Sequence, residues 1–424
     1  MTHYLFTLWD GAGTLPPELS VARALVERGH RVSVVSDPTA ELEALSAGAD
    51  FRPWRDAPHL RSRRAEDDYI RDQEARTPPQ MITRLCERLI CTPSALHAAE
   101  TTAAIEQLRP DALVSSSMLL GPQIAGEAAG LPVTALMPNI YFLPVPGRPP
   151  FGTGWQPARG PLGRARDAAV LRLGARSWAA GLPPLNATRE RYSLAPLDHV
   201  WEQLDHARRV LVLSSRSFDD PSPLPANVRY VGARLGDPGW VEPWQPPAGE
   251  APLVLVSLSS GAQDQLALLR RIVEGVGALP VRAVVTTGHA IDPEDVEAPP
   301  HVQVLRSAPH SQVLAHAAAV VTHGGHGTVL RSLAAGVPAV VLPMGRDQLD
   351  NAARVVAREA GLRLKPSAKP SAIAAAVRRL LDEPRHREGA RRMAAALQAE
   401  AGRDGAADEL EGAHPAARTA AAAA

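Results

Sequence analysis

Twice along the chain a short apolar run breaks into a glycine-bearing loop and continues as a helical pattern. Residues 5–9 read as a buried strand that enters Asp10-Gly11-Ala12-Gly13-Thr14-Leu15-Pro16-Pro17. A helix over residues 17–28 follows, with Leu19, Ala22 and Leu25 at helical spacing and Gly29 as its stop. Residues 320–322 do the same, entering His323-Gly324-Gly325-His326-Gly327-Thr328 and a helix over residues 329–335. Further strands are predicted at residues 31–36, 111–115, 133–137, 253–258, 283–286, 302–305 and 339–342, alternating with helical stretches. That alternation is the βαβ rhythm of parallel sheets covered by helices, so the expected fold class is α/β with two Rossmann-like units.

A length of 424 residues exceeds what one hydrophobic core organises and accommodates both units. The first is expected over residues 1–215 and the second over 248–400. A linker is expected over 216–247, where prolines surround a brief apolar stretch at 228–231 together with Trp240 and Trp244. The Ala-rich segment 404–424 reads as a disordered tail. Residues 56–104 form a longer, irregular helical insertion that could line a pocket, and 144–161 form a Pro- and Gly-rich loop carrying Phe151 and Trp155.

Forty-five basic residues balance forty-five acidic ones, which leaves no global field to attract nucleic acid or anionic lipid. The first residues lack a basic n-region, and no apolar run reaches the roughly 18 residues a membrane span requires. A soluble, cytoplasmic protein without stable membrane insertion is expected. The two cysteines, Cys86 and Cys91, read as helical packing residues.

The loop at 323–328 has the chemistry of an anion site. Glycines let the backbone approach a phosphate, and the free amides and dipole of a helix N-terminus favour its charge by about 0.3–1 kcal/mol. Thr328 adds a hydroxyl and His323 an imidazole N–H. No third ligand with sensible spacing accompanies His323 and His326, and no Asp-x-Asp element occurs, so neither a metal nor a resident cofactor is expected. Downstream, Asp347, Gln348 and Asn351 offer acceptors and donors suited to sugar hydroxyls, although Asp347 also fits a plain helix cap. The first loop lacks the third glycine of a dinucleotide fingerprint, because Pro16 stands in its place.

These residues together resemble the GT-B fold glycosyltransferases of the bacterial macrolide and antibiotic type, relatives of the UDP-glucuronosyltransferases. The resemblance rests on His323-Gly324-Gly325-x-Gly327-Thr328, Gly336-x-Pro338, Pro343 and Asp347-Gln348-x-x-Asn351-Ala352, with weaker support from Gly13-x-x-x-Pro17 and Arg28-Gly29-His30. It implies that His323 and the backbone of Gly324, Gly325, Gly327 and Thr328 bind the diphosphate of a nucleotide-sugar donor. Asp347 and Gln348, with Asn351 in the same motif, would hold the sugar. Ser260 would lie near the phosphates, and Ala308 and His310 in the loop that contacts the base, where Ser307 replaces the family's stacking tryptophan.

Two departures matter. Arg331 stands where the family carries a ribose-binding glutamate, which favours a thymidine diphosphate deoxysugar donor. Thr14 stands where the family's histidine base stands, and a threonine is no base near neutral pH, which leaves Asp10 as the nearest titratable group for that role. Asp10 equally fits a residue that caps loop amides. The expected reaction is an inverting displacement at the anomeric carbon by a hydrophobic small-molecule acceptor. Met118, Asn139, Tyr141, Phe142, Phe151 and Trp155 are the candidate acceptor-binding residues. A nucleotide-sugar 2-epimerase and a non-catalytic helper of another transferase are the alternatives.

Overall fold

The computed structural model describes residues 1–237, 241, 244–259, 261, 263–400 and 405–412. Seven strands, β1 (His3–Thr7), β2 (Arg31–Ser36), β3 (Asp50–Pro53), β4 (Ala112–Ser116), β5 (Val133–Met137), β6 (Arg209–Val212) and β7 (Val228–Tyr230), form one parallel sheet in the order β3-β2-β1-β4-β5-β6-β7. Six more, β8 (Leu253–Ser257), β9 (Arg282–Thr286), β10 (Val302–Leu305), β11 (Ala317–Thr322), β12 (Ala339–Val341) and β13 (Gly361–Arg363), form a second in the order β10-β9-β8-β11-β12-β13. Helices cover both faces, so a central strand such as β8, Leu-Val-Leu-Val-Ser, is buried at every residue and shows no polar alternation.

In the first sheet Leu5 faces one apolar layer, with Leu113, Leu120 and Ile124, while Tyr4 and Phe6 face the other, with Leu19, Leu25 and Val114. This is the period-two geometry of a strand covered on both sides. The strand order turns between β1 and β4 in the first sheet and between β8 and β11 in the second. Ligands of open α/β sheets bind outside the carboxyl ends of the strands at such turning points. Those ends carry the loops 8–14 and 258–265 and the glycine loop at 323.

Two boundaries differ from the sequence reading. The expected linker contains β7, which pairs with β6 from Val210↔Val228 to Val212↔Tyr230 and closes one edge of the first sheet. The expected tail contains a helix, Gly405–Gly412, whose Ala406, Ala407 and Leu410 are buried against Leu19, Leu213 and Val231 of the first unit. Its acidic face meets Arg28 at 2.8 Å from Asp408 and Arg209 at 3.1 Å from Glu409. Residues 404 and 413–424 of that expectation, and Trp240, lie outside the described residues.

Candidate active site

Gly324 adopts φ +98°, and a Cβ there would sit 2.7 Å from Val341 Cγ1, so the turn out of β11 excludes a side chain. Gly325 is the N-cap of the helix His326–Ala334, and a Cβ on it would strike the His323 ring at 2.6 Å. The imidazole therefore lies across the glycine at the helix start, where the first-turn amides have no intrahelical acceptor. Burial drives the His323 pKa down to about 4, against a hydrogen bond to the Ser257 carbonyl, so the ring is neutral at physiological pH. His326 turns away from the loop and packs on Phe218, with ring centroids 5.8 Å apart.

The residues expected at the sugar form a hydrogen-bonded chain. Asp347 stands at the N-cap position of the helix Gln348–Ala357 but makes no side-chain cap bond. Its carboxylate instead accepts from Asn351 Nδ2 at 3.0 Å, and the same nitrogen donates to the Gly324 carbonyl at 2.9 Å. Burial raises the Asp347 pKa to about 6. The Gln348 carboxamide is committed within the protein: its Oε1 accepts from Met344 N–H at 2.7 Å, and its Nε2 donates to Gln263 at 3.0 Å. Ala308 is buried in the apolar layer behind β11, and His310 Nε2 lies 3.3 Å from Thr286 Oγ1. Ser260 lies outside the described residues.

Across the crevice, Ala12 takes the left-handed φ of 60° that an alanine rarely adopts, and its N–H donates to Asp10 Oδ1 at 3.0 Å. Asp10, 1% exposed, accepts at Oδ2 from Thr39 at 2.7 Å and from Arg63 at 2.8 Å. Thr14 Oγ1 is packed beneath Gly11, 2.7 Å from where a Cβ would stand. A Cβ on Gly261 would come 3.1 Å from the Ala12 Cβ, so the first loop and the 258–265 loop already touch.

Residues 270–411 match the family model described as "Erythromycin biosynthesis protein CIII-like, C-terminal domain". Over 90% of its length the chain is 30% identical to the 4'-demethylrebeccamycin synthase of Lentzea aerocolonigenes, covering 92% of that protein. It is also 30% identical to an elloramycin glycosyltransferase of Streptomyces olivaceus, with 91% of each chain covered. The chain belongs to the macrolide and antibiotic glycosyltransferases. The solved glycosyltransferase of kitacinnamycin superposes with a TM-score of 0.77 at 26% identity, over 98% of this chain and 99% of that one, and the two sheets are those of a GT-B fold.

Within this glycosyltransferase the aromatic residues expected at the acceptor come together, but around little space. Phe142 packs on Phe151 at 5.9 Å and on Trp201 at 4.9 Å. Tyr141, Phe142 and Phe151 line a cavity of about 20 Å³, room for roughly one water. Arg166 covers the Trp155 ring at 3.8 Å. Met118 packs against the first core, and Asn139 is half-buried after β5. A larger cavity of about 440 Å³ is lined by the insertion, with Arg55, His59, Arg61, Asp68, Tyr69 and Arg71 among its walls.

Several positions escaped the motifs. Arg331, at the ribose-binding position of the family, donates to the carbonyls of Leu235 at 3.1 Å and Gly236 at 2.8 Å. Asp72 of the insertion reaches across to Arg346, and Asp350 accepts the N–H groups of Gly152 at 2.6 Å and Gly154 at 2.9 Å. Two segments of the first unit, at Asp72 and at Gly152 to Gly154, therefore contact the second at Arg346 and at the first turn of the helix Gln348–Ala357. Among the described residues no group of three or more His, Cys, Asp or Glu side chains stands together as a metal-ligand set. No helix among them is long and apolar enough to cross a membrane.

Proposed function

We propose that this glycosyltransferase moves a sugar from a nucleoside diphosphate donor, a thymidine diphosphate deoxysugar, to a hydrophobic natural-product acceptor in the cytoplasm. The transfer inverts the anomeric carbon and needs neither metal nor resident cofactor. The observation that carries this reading is the neutral His323 ring lying across Gly325, beside the first-turn helix amides of Gly327 and Thr328. Preorganised donors of this kind stabilise a departing diphosphate without proton exchange.

On this reading the nucleoside lies towards Ala308 and His310, the diphosphate on residues 323–328, and the sugar against Asp347 and Asn351. Asp10 receives the acceptor proton at Oδ1, which among the described residues accepts from the Ala12 N–H alone, while Arg63 and Thr39 fix Oδ2. Opening of the loop at Ala12 admits the acceptor. The Arg63 ion pair favours a second reading, a non-catalytic helper in which Asp10 only anchors its loop.

Calorimetric titration with thymidine and uridine diphosphates tests the donor. Preference for the uridine ligand removes the deoxyribose inference from Arg331, and a His323→Ala variant that binds either at wild-type strength removes the site.

A further inference from the structure

Along the donor-site wall, Arg346 stands between the phosphate loop and the sugar residues. It immediately precedes Asp347, and its guanidinium acts electrostatically on the buried His323 ring. Its backbone adopts φ 54°, a left-handed conformation that costs a non-glycine residue of order 1 kcal/mol or more and persists where surrounding contacts over-determine it. The contact here is a fork: Nε and NH2 each lie 2.7 Å from an Asp72 carboxylate oxygen. Asp72 comes from the insertion of the first unit, 274 positions away in the chain. The Asp72 side chain is 9% exposed and the Arg346 side chain 36%, so the carboxylate is largely covered while the Arg346 side chain stays open to solvent.

The charges at this wall are unequal. His323 is neutral, and a helix N-terminus contributes only about half an elementary charge. Arg331 borders the loop at Gly327 through NH1, with its Nε and NH2 held by two backbone carbonyls, whereas Arg346 directly precedes Asp347. Arg346 brings a guanidinium, ion-paired to Asp72, next to Asp347, and its NH1 is the nitrogen that the Asp72 fork does not use.

We propose that Arg346 is a catalytic residue that contacts the phosphate bonded to the sugar, and that Asp72 is the positioning residue that presents it. This rests on the donor-site reading above. In the transfer, the anomeric carbon–oxygen bond to that phosphate breaks with its electron pair passing to the phosphate oxygen. The acceptor oxygen bonds the anomeric carbon and its proton passes to Asp10. The guanidinium meets the negative charge that appears on the departing oxygen. Because Asp72 belongs to the acceptor-side unit, full leaving-group stabilisation exists only when the two units are together, which limits loss of the donor sugar to water.

The test is calorimetric binding of uridine and thymidine diphosphates, with the corresponding monophosphates as controls. It uses wild type, Arg346→Ala, Arg346→Lys, Asp72→Asn and His323→Ala, with turnover and free-sugar release measured on each. Arg346→Ala is expected to weaken diphosphate binding at least tenfold and monophosphate binding less than twofold, with Arg346→Lys between. Asp72→Asn leaves the Arg346 guanidinium charged but removes its carboxylate partner, so diphosphate binding stays within a few-fold while kcat falls at least tenfold and the share of donor lost as free sugar rises. If Arg346→Ala is too unstable to titrate, Arg346→Lys and Asp72→Asn decide by the same ratios. Wild-type diphosphate affinity in the Arg346 variants, or equal loss for mono- and diphosphates, overturns the proposal. If His323→Ala alone loses binding, only the Arg346 assignment falls; if wild type binds no diphosphate, the donor-site reading falls with it.

Discussion

The Asn351 carboxamide donates to the Gly324 carbonyl at 2.9 Å, tying the helix Gln348–Ala357 to the turn that opens the glycine loop. The same nitrogen holds Asp347. Asn351→Ala should therefore disturb both ends of the donor at once, leaving a buried carbonyl and a carboxylate each short of a partner, at about 1–3 kcal/mol. The expected result is a 10- to 100-fold lower kcat/KM for the donor together with a lower Tm, checked by initial rates and thermal unfolding. Wild-type kinetics in this variant would show that the tie is dispensable.

Asp10→Asn keeps the shape of the side chain and removes the proton acceptor. Loss of a general base typically costs roughly 10²–10⁴ in rate. Turnover should fall by that order while diphosphate affinity, measured by calorimetry, stays unchanged. Full turnover would strike Asp10 from the mechanism, and absence of turnover in wild type across a panel of donors and acceptors would favour the helper reading.

Asp37 sits directly beneath Asp10, accepting its N–H at 2.7 Å and that of Leu60 at 2.5 Å. Burial raises the Asp37 pKa to about 7, with the Asp10 charge adding to the rise and the backbone bonds opposing it. A carboxyl with a raised folded-state pKa binds its proton more tightly in the folded chain. Its contribution to stability is complete below about pH 4 and is lost as the pH rises to about 7. The total is at most about 4 kcal/mol, at about 1.4 kcal/mol per unit. Asp37→Asn should flatten the dependence of Tm on pH between 4 and 7, and an unchanged profile would contradict the assignment.

Asp219 lies between two guanidinium groups from opposite units: Arg148 at 3.0 Å and Arg354 at 2.6 Å, with the Tyr230 hydroxyl as a third partner. Removing the carboxylate leaves Arg148 without its ion-pair partner, while Arg354 keeps Asp220 at 3.1 Å. Asp219→Ala should cost about 3–5 kcal/mol, the usual penalty for an orphaned buried ion. Chemical denaturation is the measure, and a loss below about 1 kcal/mol would mean that water reaches the site.

What the sequence made legible was local. The glycine loop, the Asp347-to-Asn351 turn and the strand rhythm are each written in contiguous residues, where spacing and backbone chemistry can be read directly. The contacts that assemble the crevice are not: Asp72 with Arg346 and Gly152 with Asp350 join segments 274 and 198 positions apart. Arg331 looked like a departure at the ribose position because its partners, two backbone carbonyls at 235 and 236, carry no side-chain signature. Strand β7 was hidden by Pro221, Pro223 and Pro225 just ahead of it. The helix Gly405–Gly412 was hidden by its alanines, although Ala406, Ala407 and Leu410 stand at one-face spacing followed by acids that answer Arg28 and Arg209.

That helix bears on the order in which the chain can be built. It seals an apolar face of the first sheet, and it is made from residues translated after the whole second unit. During synthesis the N-terminal unit emerges first with the groove beside Leu19, Leu213 and Val231 still open, and it reaches its finished form only when residue 412 has cleared the ribosome. Until then the nascent chain carries an open apolar groove, and packing of this helix fastens residues 405–412 onto the first sheet.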